Sequence, residues 1–337
     1  MSDYFSLSPE QQAERLAVAG RAVLRQWDVE SANLELIKHR ENAVFKVEAG
    51  DVKAALRLHR QGYHSDAELY SELQWMQALD DAGIRVPQAI PTTSGVLFTH
   101  QAVEGLDGDI QVDLWQWIDG VQLGSVEEGI ADAAEVENTY GILGEVAAKV
   151  HNQAANWTLP GGFTRHAWDA DGLAGEMPFW GRFWEIAAAT DAQQNLLKRT
   201  RERVFRDLSA LPKTADNYSM IHADFAAENI MVDDAGVRLI DFDDAGFGWH
   251  LFELVTALIF IRGEDYFGRA ERALIEGYRK HRALTEQDLA LLPLFYLARS
   301  TTYVGWVHTR SETETARELT PMILEMTCGL AEDYLSS

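Results

Sequence analysis

Apolar positions along the chain divide it into two halves of different rhythm. In SPEQQAERLAVAGRAVLRQW, Leu16, Val23, Leu24 and Trp27 fall at helical spacing, Ser8 and Gln11 form a capping-box pattern, and Pro9 suits a first helical position. An amphipathic helix is predicted to open the chain. NLELIKHR, NAVFKVE and VKAALRLH follow, the last two joined by Ala49-Gly50-Asp51, which predicts an antiparallel meander. A second capping box, Ser65 with Glu68, precedes Leu69, Leu73 and Met76 on one helical face, and Gly83 is the stop signal. GVLFTHQAV and IQVDLWQWID predict two more strands around the turn-rich EGLDGD. Beyond residue 118 the period becomes helical, around 135–153, 178–209, 250–282, 286–308 and 314–334, with strands predicted only at YSMIH, NIMVD and VRLID. The fold class is therefore α+β, with a small sheet-containing lobe at residues 1–118 and a larger, mostly helical lobe at 119–337.

Composition narrows the function classes. The 337 residues are enough for two cores, and 47% hydrophobic with 24% charged residues is the balance of a globular protein. The 53 acidic against 29 basic residues give a net charge of -24, which repels phosphate backbones and excludes nucleic acid as an expected partner. Cys328 is the only cysteine, so neither a disulfide framework nor a thiolate-rich zinc site is available. The N-terminus lacks the basic start and apolar core of a signal peptide, and stretches such as LALLPLFYLA are too short to span a bilayer. A cytoplasmic protein with no membrane partner is expected.

The chemistry concentrates in IHADFAAENIMVDDAGVRLIDFDDAG, residues 221–246. Asn229 comes five residues after Asp224, NIMVD and VRLID form a predicted hairpin across DAG, and Asp241 leaves the second strand. A hairpin brings its ends together, so Asn229 and Asp241 can face one site with Asp224 delivered by the preceding loop. One amide oxygen and two carboxylates suit Mg²⁺, which completes its shell with waters and substrate phosphates.

HADFAAEN matches the kinase catalytic-loop pattern H-x-D-x-x-x-x-N, and LIDFDDAG stands where the metal-binding D-F-G lies. Nearly the whole chain, from ENAVFKVE through ALRLHR and DLWQWIDG to GWHLFELVTAL, resembles the aminoglycoside phosphotransferase and choline kinase superfamily, in particular its homoserine-kinase type II and stress-response-kinase-like members. The resemblance implies a two-lobed protein-kinase-like fold and transfer of the ATP γ-phosphoryl group. It makes Asp224 the catalytic aspartate that orients the acceptor hydroxyl and accepts its proton, and Asn229 and Asp241 the holders of Mg²⁺. His222 is a scaffold residue of the loop.

Departures from the pattern lie in the first half. Where kinases carry an ATP-anchoring lysine on the third strand, this chain has Arg57, whose fork can pair with phosphates; Lys46 and Lys53 are rival anchors. The partner carboxylate on the following helix is Glu72, or Glu68 one turn earlier. No G-x-G-x-x-G occurs, so RENAVF at 40–45 is left to cover the phosphates. The segment DLWQWIDG is the implied hinge, with backbone groups of Gln116, Trp117 and Ile118 holding adenine.

Ala226 stands where protein kinases carry a lysine, which turns the expectation toward a small hydroxyl substrate, amine-bearing like homoserine, choline, hydroxylysine or an aminoglycoside. Asp243, Asp244 and Glu228 are positioned to attract an ammonium group, and Trp168, Trp180, Trp184, Trp249, Tyr303 and Trp306 offer faces for a cation. A stress-response-type Ser/Thr protein kinase, an ATP-binding pseudokinase and a metal-dependent hydrolase using Asp241, Asp243 and Asp244 are the alternatives.

Overall fold

The computed structural model describes residues 4–39, 42–124 and 132–337. The chain forms two compact units, one of Met1–Val121, Pro160–Thr164 and Asp233–Ile240, the other of Gln122–Leu159, Arg165–Val232 and Asp241–Ser337. The first unit thus takes in two later segments, one of them carrying the second strand of the predicted hairpin.

In the first unit, β1 (Asn33–His39), β2 (Ala43–Ala49), β3 (Val52–Leu58), β4 (Phe98–Ala102) and β5 (Asp109–Gln116) form a five-stranded sheet in the order β1-β2-β3-β5-β4. Every pairing is antiparallel. Helix α1 (Pro9–Val23) starts at a complete capping box of Ser8 and Gln11, and its buried Leu16, Ala19 and Val23 share a core with Phe45, Val47, Leu56 and Leu114 of the sheet. Helix α2 (Asp66–Asp81) starts at the Ser65–Glu68 box, buries Leu69, Leu73 and Met76, and is followed by Gly83 at φ +81°. Both helices begin where a side chain satisfies otherwise orphaned N–H groups.

The second unit is built on helices Ala133–Asn156 (α3), Asp191–Ser209, His250–Thr256, Phe267–Arg279, Leu292–Thr309 and Glu314–Ser336. Two predicted helical spans are shorter than their apolar period suggested. The span 178–209 is α-helical only from Asp191, because Pro178 and Gly181, the latter at φ +102°, interrupt the earlier stretch, which keeps one 3₁₀ turn at Phe183–Glu185. The span 250–282 splits into helices ending at Thr256 and starting at Phe267.

A small sheet of Ala167–Trp168, Gly246–Trp249 and Tyr218–Ile221 carries the chemistry-bearing segments, and only the last of these strands is visible in the apolar pattern. GFGW lacks alternation, yet its glycines are required by close approach. A Cβ at Gly248 would stand 2.4 Å from the Ile221 side chain, and one at Gly246 2.7 Å from the His166 carbonyl oxygen. Among the described residues no helix is long and apolar enough to cross a membrane.

Helix α3 and helix Phe267–Arg279 touch backbone to backbone: a Cβ at Gly277 would lie 2.2 Å from the Gly141 carbonyl oxygen. One at Gly144 would meet the Leu274 carbonyl oxygen. Gly144→Val should therefore lower stability by about 3 kcal/mol, the upper range for overpacking. Gly141→Ala, whose Cβ meets nothing within 4 Å, should be neutral or stabilising. Urea midpoints at constant slope measure both, and a harmless Gly144→Val would refute the close approach.

Candidate active site

In the second unit, Tyr218–Ile221 delivers the catalytic-loop sequence directly from its C-terminal end. Gly246–Trp249 lies antiparallel beside it, with Gly246 opposite Ile221, and runs straight into the helix His250–Thr256. That register brings Glu253 under the loop. Its two carboxylate oxygens accept the backbone N–H groups of His222 at 2.8 Å and Ala223 at 2.7 Å. Ala223 has φ +64°, a left-handed conformation that costs a residue with a Cβ on the order of 1 kcal/mol. Two N–H groups aimed at one carboxylate hold it there.

The next residue is Asp224. Its carboxylate is partly open, and Asn229, at the end of the turn Ala227–Asn229, donates from Nδ2 to the Asp224 carbonyl oxygen and to Oδ2, both at 2.8 Å. With both amide hydrogens committed, Asn229 Oδ1 has no donor among the described residues and remains a hard oxygen. That is the donor chemistry Mg²⁺ requires.

Asp241 is exposed and also left-handed, at φ +66°. The backbone after it is clamped by buried Arg165, which donates from Nε to the Ala245 carbonyl at 2.5 Å and from Nη2 to that of Asp243 at 2.6 Å. Trp168 Nε1 donates to the Asp244 carbonyl at 2.9 Å. A carboxylate on a strained, fixed backbone is pre-organised for a ligand role.

The loop's support is a buried polar cluster. Burial pushes the Glu253 pKa up, while His222, the two N–H bonds and the Arg299 charge pull it down. His151 Nε2 lies 3.6 Å from Glu253 Oε1, and its ring stacks on His250 at 4.1 Å. His151 Nδ1 bonds the Tyr278 hydroxyl at 2.9 Å, and His250 Nε2 bonds Ser219 at 2.9 Å. Burial, with the Arg282 charge added, holds both histidines well below their usual pKa. Two stacked rings must stay neutral.

In the first unit, Arg57 Nη2 donates to Glu72 Oε1 at 2.8 Å and to Asp113 Oδ2 at 2.7 Å, and Nε donates to Asp113 Oδ1 at 3.1 Å. All three groups are buried. Glu68 serves the cap of α2. Asp113 also bonds His59 Nε2 at 2.9 Å and accepts from Trp115 Nε1 at 2.6 Å. Burial alone would raise its pKa, but Arg57 and His59 outweigh it and hold the carboxyl well below the usual range.

Lys46 pairs with Glu48 at 2.7 Å and lies over the Trp117 ring, and Lys53 is 3.6 Å from Asp119. The N–H groups of Gln116 and Trp117 go to the carbonyls of Gln88 and Lys53, which leaves that of Ile118 as the uncommitted one of the three among the described residues. Of the expected phosphate cover at 40–45, Arg40 and Glu41 lie outside the described residues; Asn42 Oδ1 accepts from the Arg60 N–H.

The aromatic faces expected to receive a cation are spoken for. Trp168 and Trp249 are core residues. Arg299 lies over Trp180 and Tyr303, Arg201 over Trp184, and Arg310 over Trp306. Asp113, Glu253 and Arg299 escaped the sequence reading, although each is a lone charge in an apolar run (IQVDLW, LFELVTAL, FYLARSTT) and a buried charge needs a partner.

The sequence model of the phosphotransferase enzyme family matches residues 33–286. Amicoumacin kinase of Bacillus subtilis is 20% identical over 288 residues, covering 82% of this chain and 80% of that protein. Among solved structures, a microcompartment-associated aminopropanol kinase matches with a TM-score of 0.82 at 31% identity, over 95% of this chain and 98% of that one. An amicoumacin kinase in complex with AMP-PNP, Ca²⁺ and Ami shares the fold, with a TM-score of 0.73 at 16% identity over 95% of this chain and 96% of that one.

The neutral histidines set a pH dependence. Their folded pKa values are depressed, so the unfolded chain binds more protons below about pH 6.5, the ordinary histidine value. Stability is complete above that pH and falls beneath it, by about 1.4 kcal/mol per pH unit for each histidine. The melting temperature should drop between about pH 7 and 5, and His250→Gln should flatten the decline. A midpoint indifferent to pH in that window would contradict the neutral pair.

Proposed function

The chain belongs to the phosphotransferase enzyme family, and from that premise we propose that it transfers the γ-phosphoryl group of ATP to the hydroxyl of a small alcohol carrying a primary amine, of the aminopropanol type. The observation that carries this reading is Asp224, partly open and fixed from below by Glu253 through the loop backbone and from the side by Asn229. Similarity to an aminopropanol kinase over almost the full chain supports the acceptor class.

Asp224 orients the acceptor hydroxyl and takes its proton as the oxygen attacks phosphorus. Asn229 Oδ1 and Asp241 are the residues we assign to Mg²⁺, which when bound neutralises charge on the phosphates. On the nucleotide side we assign Arg57, held by Glu72 and Asp113, to the place of the usual lysine, and the backbone of Gln116 to Ile118 to adenine. For the amine we assign Asp244, whose charge, like that of Asp224, raises the Tyr303 pKa after the larger effect of burial. With these rings buried in the core or already carrying one of the chain's own arginines, we assign recognition of the ammonium group to a carboxylate, which favours a primary amine with N–H donors over a quaternary one. The net charge of -24 argues against nucleic acid as a partner. A cytoplasmic location suits an ATP-dependent enzyme whose single cysteine is free and buried.

ATP consumption with Mg²⁺ should appear with a primary amino alcohol and be weaker with choline, in a panel that includes homoserine, hydroxylysine, an aminoglycoside and a protein substrate. Asp224→Asn should lose about 10²–10⁴-fold in kcat while still binding ATP. Phosphorylated protein would favour a protein kinase, and ATP binding without turnover a pseudokinase.

A further inference from the structure

Arg299 lies on the helix Leu292–Thr309, wholly buried, with its guanidinium carbon 5.1 Å from the ring centres of Trp180 and Phe252 and 4.5 Å from that of Tyr303. Nη2 donates to the Tyr303 hydroxyl oxygen at 2.8 Å and stands 3.8 Å from Asp224 Oδ1. Nε and Nη1 have no hydrogen-bond partner among the described residues. Burying a guanidinium with donors unmet is unfavourable unless it secures something else.

What it secures is the direction of the Tyr303 hydroxyl. Arginine has five N–H donors and no acceptor, so the phenolic oxygen must accept from Nη2 and its own hydrogen must point toward a different group. No acceptor among the described residues takes that hydrogen. The ring is only partly buried, and it packs 4.6 Å from Phe260, which is 38% exposed. Burial first, and then the charges of Asp224 and Asp244, push the phenol up to about 12, so it keeps its proton at neutral pH.

We propose that Tyr303 is an acceptor-binding residue whose O–H donates to the oxygen of the hydroxyl that becomes phosphorylated, and that Arg299 is its positioning residue. The proposal rests on the reading of Asp224 as the group that receives the acceptor's proton. An alcohol oxygen has one hydrogen and two lone pairs. The hydrogen goes to Asp224, one lone pair accepts from Tyr303, and the other faces phosphorus. On transfer the acceptor oxygen bonds phosphorus, the bond from the γ-phosphorus to its bridging oxygen breaks, and its electron pair leaves with ADP. The acceptor proton ends on Asp224, and Tyr303 keeps its own.

The test is steady-state kinetics of Tyr303→Phe, Arg299→Lys and Arg299→Met on the alcohol that the unmodified enzyme phosphorylates, with melting curves confirming that each variant is folded. Tyr303→Phe should raise the acceptor KM and lower kcat/KM for the acceptor by about 10-fold, the effect of one lost hydrogen bond to a reacting group, with the ATP KM unchanged. Arg299→Lys should retain more of the acceptor kcat/KM than Arg299→Met. A folded Tyr303→Phe enzyme with unaltered acceptor kinetics would overturn the proposal, as would equal losses for ATP and acceptor. If no alcohol in the panel is phosphorylated, the amino-alcohol reading fails by itself. Tyr303 is then judged on ATP hydrolysis, in which water gives a hydrogen to Asp224 and its oxygen accepts from Tyr303: slower hydrolysis in Tyr303→Phe sustains its role, and an equal rate rejects it.

Discussion

The second unit depends on one carboxylate in a place where carboxylates are expensive. Glu253 is fully buried, and both of its oxygens are taken by consecutive backbone N–H groups, those of His222 and Ala223. In an extended strand consecutive N–H groups point to opposite sides, and Ala223 at φ +64° breaks that alternation so that both aim at one carboxylate. The sheet makes the arrangement possible. Ile221 pairs with Gly246, so the loop leaves one strand beside the point where its neighbour enters the helix bearing Glu253. A register shift of one residue would turn Glu253's partners away and reverse the faces of both strands. Asp224, the next residue, inherits its position from this bond and from the amide of Asn229. The stacked neutral pair His151–His250 fills the space behind Glu253 without adding a charge that would have to be compensated.

Two buried arginines show different solutions to the same desolvation problem. Arg57 donates hydrogen bonds to two carboxylates, Glu72 and Asp113, across the sheet-and-helix core of the first unit. Arg299 has one hydrogen bond, a longer ion pair to Asp224 and three aromatic faces. A guanidinium held by two carboxylates is a charge fixed in place. A guanidinium stabilised mainly by ring quadrupoles keeps its field available to its surroundings, here the Asp224 carboxylate. The same covering, with Trp168 and Trp249 buried in the core, explains why abundant tryptophan near acidic residues does not amount to a cage for a substrate cation.

What the sequence discloses is what local chemistry determines. The Ser8–Gln11 and Ser65–Glu68 boxes each satisfy helix N–H groups within four residues, so their helices begin where the pattern placed them. The meander β1-β2-β3 has turns short enough to fix its register locally, and the Asp224–Asn229 bond lies within one loop. Features set by distant partners stayed hidden. Gly246–Trp249 is a strand because it pairs with Tyr218–Ile221 and Ala167–Trp168, with His166 and Ile221 too close to Gly246 and Gly248 for a side chain there, and nothing in GFGW alternates. The stretch 178–190 keeps a helical apolar rhythm because Trp180 and Phe183 are buried, although Pro178 and Gly181 deny it the helix. Asp113 becomes the partner of Arg57 only through the register of β3 with β5, which places the two directly opposite. Glu253 and Arg299 follow the same logic. A lone charge in an apolar run implies a buried partner, and the identity of that partner belongs to the fold, where an N–H pair answers one and a ring of aromatic faces answers the other.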